Sequence, residues 1–240
     1  MDGQRWWLRD FLPQKEKFSL PTPDFKSADP VVRALIEKDV GSPLQGSEEW
    51  IKQRGKYTVT ASMAPAIVGE NPNMSPETAF KIKAGIEQQT FSPYVQAMIN
   101  YGTENEDRAL LAYSRGHGQP DIFRFGVIGH PGIPWLAASP DGITGTARNV
   151  EAKCPVKRKI IPGEIPQHYY GQVQVQMQCF GLDVTDFVQW QRDPVTGEEI
   201  VDVTVVVRDD AWWSENFPKM EAFHNRLVAY RERHNNPEQQ

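Results

Sequence analysis

Apolar and polar positions alternate at helical spacing through much of the first half of the chain. Asp29-Pro30, a capping carboxylate followed by proline at the first helical position, opens a helix through Val31, Val32, Ala34, Leu35 and Ile36. Ser47 caps a short helix through Trp50 and Arg54, and the run from Thr60 to Val68 predicts another, entered through a hydroxyl cap and stopped by Gly69. Free N–H groups at that start suit a phosphate. Ser75-Pro76 and Ser92-Pro93 open two more helices, the second running past Gly102. Within it Glu106, Ala109, Leu110 and Tyr113 fall at i, i+3, i+4 and i+7 and share one face. An unpaired carboxylate in such apolar company is costly, so Glu106 is expected to be protonated, paired or, as burial cost favours, turned to a metal.

The second half mixes both periods. Tyr169 to Met177 reads as a helix, Asp186–Trp190 and Ile200–Val207 as strands joined by the hairpin turn Asp193-Pro-Val-Thr-Gly197, and Phe217, Met220, Phe223 and Leu227 as the inner face of a closing helix. Residues 1–44 form a proline-punctuated extension with an apolar start (Trp6, Trp7, Leu8, Phe11, Leu12), expected to pack on the main domain or a neighbouring subunit. Residues 45–234 form that domain and 235–240 a polar tail.

The chemistry concentrates in Ser139-Pro140-Asp141-Gly142 and Glu151-Ala152-Lys153-Cys154-Pro155. On a strand, Glu151 and Lys153 point to one face and leave the Ala152 carbonyl in the sheet plane. Gly142, Gly145 and Asn149 mark the segment between as a turn that returns Asp141 beside Glu151. Two carboxylates ~4 Å apart repel by roughly 4 kcal/mol at an effective dielectric near 20, so a cation belongs there. Oxygen-only ligands select magnesium or manganese.

Composition narrows the classes. Cys154 and Cys179 are the only cysteines, too few for a disulfide scaffold or a four-cysteine cluster, and the five histidines lack zinc-site spacing. No apolar run is long enough for a membrane span and no secretory leader opens the chain, so an intracellular protein is expected, in a bacterial cytoplasm or a virus-infected cell. The net charge of −5 lacks the basic footprint of most nucleic-acid binders. Lys157, Arg158 and Lys159 nevertheless form a local basic cluster just after the Glu-x-Lys strand, suited equally to DNA or to a solvated loop.

In order, Gln45-Gly46 with Trp50 and Arg54, Thr60-Ala61-Ser62, Gly102-x-x-x-Glu106-x-x-Ala109, the Asp141 to Lys153 pair of motifs, and Tyr169-x-x-Gln172-Val-Gln174 with Met177 resemble the lambda-type exonuclease (YqaJ-like viral recombinase) family of the PD-(D/E)xK nucleases. The resemblance runs from about Gln45 to the closing helix. It implies an α/β, mixed α+β fold of the restriction-endonuclease-like kind, with a central mixed β-sheet flanked by helices. It implies a metal-dependent DNA exonuclease acting 5′-to-3′ on double-stranded ends and leaving 3′ single strands for recombination or repair. Two Mg2+ or Mn2+ ions would be held by Asp141, Glu151 and the Ala152 carbonyl with Glu106 assisting. Lys153 would orient or activate the attacking water, Gln172 would support the site, and Arg54 and Ser62, near Thr60, would hold the terminal phosphate. A homotrimer ring and a single-strand annealing partner are also implied. The long aromatic N-terminal arm departs from the family minimum and bears on that ring. An endonuclease on the same fold and a non-catalytic DNA-end-binding module are the competing readings.

Overall fold

The computed structural model describes residues 20–118, 121–193 and 195–234. The aromatic start of the arm and the polar tail lie outside them. Helices α1 (Pro30–Asp39), α2 (Glu48–Gly55), α4 (Pro76–Lys83) and α5 (Pro93–His117) begin where their caps predict: Asp29, Ser47, Ser75 and Ser92 each accept a backbone N–H of the first turn. The Thr60 run departs from expectation. Thr60 makes no capping bond, because it is paired with Ala137 as part of strand β1 (Val59–Thr60), and the chain turns through a 3-10 segment before α3 (Ala64–Val68). Gly69 does end that helix in the left-handed region.

Strands β2 (Ile122–Phe123), β3 (Ile128–His130), β4 (Ile133–Ala138), β5 (Gly142–Thr144), β6 (Asn149–Lys153), β7 (Val184–Arg192) and β8 (Glu199–Val207) build two mixed sheets where the sequence suggested one. The order is β1-β4-β3 in the small sheet and β2-β5-β6-β7-β8 in the large one, with β1 parallel to β4 and β6 parallel to β7. The chain leaves one sheet for the other at Ser139-Pro140, where proline has no N–H to extend a ladder. The large sheet's inner strands are buried on both faces, as Thr185 to Trp190 shows, and the buried polar members Thr185, Asp186 and Gln189 are hydrogen-bonded there.

Helix α6 (Gln167–Phe180) spans the junction, packing on β3 and β4 of one sheet and on β6 and β7 of the other, while α7 (Asp210–His234) closes the domain. The described part of the extension packs on the main domain. Val32 and Leu35 of α1 are buried in the main core, and the Asp29 N–H donates to the Gly145 carbonyl at 2.8 Å. Asn149, expected in the turn, lies instead in β6 and is fully buried; its amide donates to Gln176 and Thr185, each at 3.0 Å.

Candidate active site

The β5–β6 hairpin brings Asp141, Glu151 and Lys153 together as the spacing suggested. Gly142 faces Val150 across it, and Asp141 Oδ2 accepts the Ala152 N–H at 2.8 Å. Glu151, 1 % exposed, is gripped from three sides. Its Oε1 accepts from the Lys153 ammonium and from Gln172 Nε2 at 2.5 Å, and its Oε2 accepts from Gln176 Nε2 at 2.6 Å. Gln172 and Gln176 stand one turn apart on α6, the spacing at which two side chains share a face. Gln176 is a site residue that sequence reasoning missed, and its i+4 spacing from Gln172 was the available signal. Gln174 points elsewhere, bonding the Val207 carbonyl and the Asp209 N–H.

Two residues near the start of the matched motifs set the approach to Asp141. The Gln45 amide donates to the Phe125 carbonyl at 3.0 Å and the Pro140 carbonyl at 2.6 Å, and Trp50 Nε1 donates to Ser139 Oγ at 3.2 Å. Both therefore fasten the Ser139-Pro140 turn that aims the carboxylate.

Burial and the neighbouring Glu151 and Glu106 charges push the Asp141 carboxyl well above the usual range, against Lys153 and the Ala152 N–H. Burial opposes the charged form of Lys153, yet the Glu151 and Asp141 charges outweigh it and keep the ammonium protonated well past neutral pH. The cluster thus carries more negative charge than Lys153 alone balances. That excess, on oxygen donors, fits a hard divalent cation held by Asp141, Glu151 and the Ala152 carbonyl. Among the described residues no three His, Cys, Asp or Glu side chains converge as ligands of one ion. Glu106, expected to be protonated, paired or turned to a metal, is half-buried at the edge of the α5 inner face, where Asn105 and Ala109 are buried; it bonds Arg124 at 2.7 Å and lines a groove together with Asp141 and Lys153. Burial still raises its pKa more than Arg124 lowers it.

Two recesses meet at this cluster. A cavity of about 170 Å³ is bounded by Trp50, Arg54, Thr60 and Ser62 and reaches Asp141, Glu151, Lys153 and Gln172. A wider groove of about 630 Å³ runs from Asp141 and Lys153 between Tyr94, Val95 and Ile99 on one side and Lys157, Arg158, His168 and Tyr169 on the other. In the cavity, Arg54 donates to Ser62 Oγ and lies 5.1 Å from the Trp50 ring; no carboxylate among the described residues pairs with it. In the groove, Lys157 Nζ sits 5.1 Å from the Tyr94 ring and Arg158 bonds Gln189 at 2.7 Å. Lys159 is exposed and borders neither recess.

A second cation missed in the sequence stands near Arg54. Lys83, at the end of α4, donates to the Tyr57 carbonyl at 3.0 Å, and burial with the Arg54 and Arg231 charges brings its pKa down to about 8. In the unfolded chain it regains the ordinary 10.5. Below about pH 8 both states are protonated and folding bears the full cost of the buried charge. As pH rises from about 8 to 10.5 the folded state gives up its proton first, and that cost, at most about 3 kcal/mol, is relieved. The stability gain of Lys83→Met over the unmodified chain is therefore expected to be largest below pH 8 and to shrink toward pH 10.5, as urea unfolding at a series of pH values will show.

Residues 49–186 match the family model of the YqaJ-like viral recombinase domain, more than half of the chain. The chain belongs to this family. A curated relative, uncharacterized protein R354 of Acanthamoeba polyphaga mimivirus, is 30 % identical over 167 residues, 62 % of this chain and 29 % of that protein. The chain thus spans under a third of that relative. Among solved structures, the alkaline exonuclease LHK-Exo of Laribacter hongkongensis superposes with a TM-score of 0.63 at 29 % identity, covering 78 % of this chain and 95 % of the exonuclease. Its complex with dAMP gives 0.62 at 30 % identity, with the same coverage. This YqaJ-like chain therefore has the mixed, helix-flanked sheet architecture of an exonuclease.

Proposed function

We propose that this chain is a divalent-metal-dependent DNA exonuclease that works 5′-to-3′ from duplex ends and leaves 3′ single strands for recombination or repair. The observation that carries the reading is the placing of Asp141 and Lys153, with Glu151 bonded to Lys153, at the wall shared by the small Arg54 cavity and an open groove. The likeness to an exonuclease whose structure is known with dAMP supports a deoxynucleotide substrate.

Asp141, Glu151 and the Ala152 carbonyl are the residues that would hold the metal, which supplies charge neutralisation and Lewis acidity at the scissile phosphate. Lys153 has three N–H donors and spends one on Glu151, so others are free to orient the attacking water and balance charge on the phosphate. Gln172 and Gln176 keep the Glu151 carboxylate from swinging away. Arg54 and Ser62 take the terminal phosphate, while Lys157 and Arg158 meet the backbone in the groove. The small volume of the Arg54 cavity beside the groove favours a strand end there over a continuous strand.

Linear duplex and a covalently closed circle, incubated side by side with and without magnesium, test this. Mononucleotides are expected from the linear duplex only, and only with the metal. Cutting of the circle would replace the exonuclease by an endonuclease, and binding of ends with no release would replace the enzyme by an end-binding module.

A further inference from the structure

Lys83 belongs to none of the motifs that led to the site, and it borders neither recess. Its surroundings are unusual in a chain of net charge −5: the charges that act on it are those of Arg54 and Arg231, and both are positive. Arg231 donates to the Lys83 carbonyl at 2.9 Å, so α7 holds the end of α4 in place, while the Lys83 ammonium reaches the Tyr57 carbonyl just after α2. None of the three cations forms an ion pair among the described residues, although nine ion pairs form elsewhere. Positive charge gathered with burial and without acidic partners is held at a cost, and an incoming anion relieves it. The cavity edge nearest this cluster is Arg54, with Ser62 as its donor-bearing neighbour.

We propose that Lys83 is a positioning residue for strand-end recognition: fixed to the Tyr57 carbonyl beside Arg54, its ammonium biases the cavity toward a doubly charged terminal phosphate over a singly charged internal phosphodiester or an uncharged 5′-hydroxyl. This rests on the assignment of Arg54 and Ser62 to the terminal phosphate made above. The physical ground is charge number. A phosphate monoester loses its second proton near pH 6 and carries close to two charges at neutral pH, so a second fixed cation adds most to the binding of that group. At an effective dielectric near 20, a unit charge acting from ~12 Å on one charge of the phosphate is worth about a tenfold difference in affinity.

The test is equilibrium binding of 3′-labelled duplexes that differ only in a 5′-phosphate or a 5′-hydroxyl, in EDTA so that nothing is cut. The unmodified chain is expected to prefer the phosphorylated end, Lys83→Met to lose about tenfold of that preference, and Lys83→Arg to keep most of it. Lys83→Gln, which removes the charge but keeps a donor for the Tyr57 carbonyl, is expected to follow Lys83→Met and separates charge from local structure. The proposal is overturned by an unchanged preference in Lys83→Met, by an equal fall on both ends, or by a loss in Lys83→Arg as large as in Lys83→Met. Absence of nucleotide release in magnesium counts against the exonuclease reading instead, and the binding ratio still decides the role of Lys83.

Discussion

Replacing Lys153 by alanine is expected to lower nucleotide release from linear duplex by about 10²- to 10³-fold, the usual cost of one lost charge-stabilising donor at a reacting centre. The ammonium is the cation of this chain that bonds Glu151, 24 % of its side chain still open, with the Tyr169 ring 5.1 Å away on its other flank. Its loss removes none of the oxygens proposed to hold the metal, so magnesium binding measured by calorimetry should persist. The substitution has a second signature. Glu151 would keep Gln172 and Gln176 but lose its charge partner, and an almost fully buried carboxylate left without one destabilises a fold. Thermal unfolding without metal should therefore shift downward, and added magnesium should restore more stability to the variant than to the unmodified chain. Unimpaired hydrolysis by Lys153→Ala would refute the role given to this residue.

Phe187→Ala is expected to cost about 3–5 kcal/mol of stability, the range for emptying a packed aromatic site. Phe187 is fully buried on β7 and meets Val173 and Met177 of α6 on one side and Val206 of β8 on the other, with the Tyr169 ring centroid 5.6 Å away. The ring seats α6 on the large sheet, and α6 carries both glutamines that hold Glu151. Activity should accordingly fall together with the folded fraction, and urea unfolding reads the loss directly. A change below about 1 kcal/mol would mean that the neighbours collapse into the space and that α6 is seated by other contacts.

The parts of this molecule that could be read in its sequence are those fixed by local rules. The Asp29, Ser47, Ser75 and Ser92 caps were legible because each bonds an N–H two or three residues ahead. The Asp141, Glu151 and Lys153 cluster was legible because a short hairpin and a period of two place it without help from distant chain. What stayed hidden depends on partners far along the sequence. Arg124 draws the Glu106 carboxylate, which local periodicity alone had turned inward. Asn149 looks like a turn residue until Gln176 and Thr185 accept its amide N–H groups inside a strand, and Thr60 looks like a cap until β4 claims its backbone. Lys83 carries no motif at all; only the approach of α2 and α7 to the end of α4 gives it meaning.

The bond from Gln45 to the Pro140 carbonyl has a consequence for anyone wishing to transplant this centre. The stretch that aligns with the family begins at residue 49, downstream of Gln45, and stops at 186, before most of β7 and all of β8. A graft cut to those limits would orphan two main-chain oxygens beside the turn that carries Asp141, and would strip the large sheet of its outer ladder. The smallest portable unit therefore starts upstream of the stretch that the family model matches and extends past it.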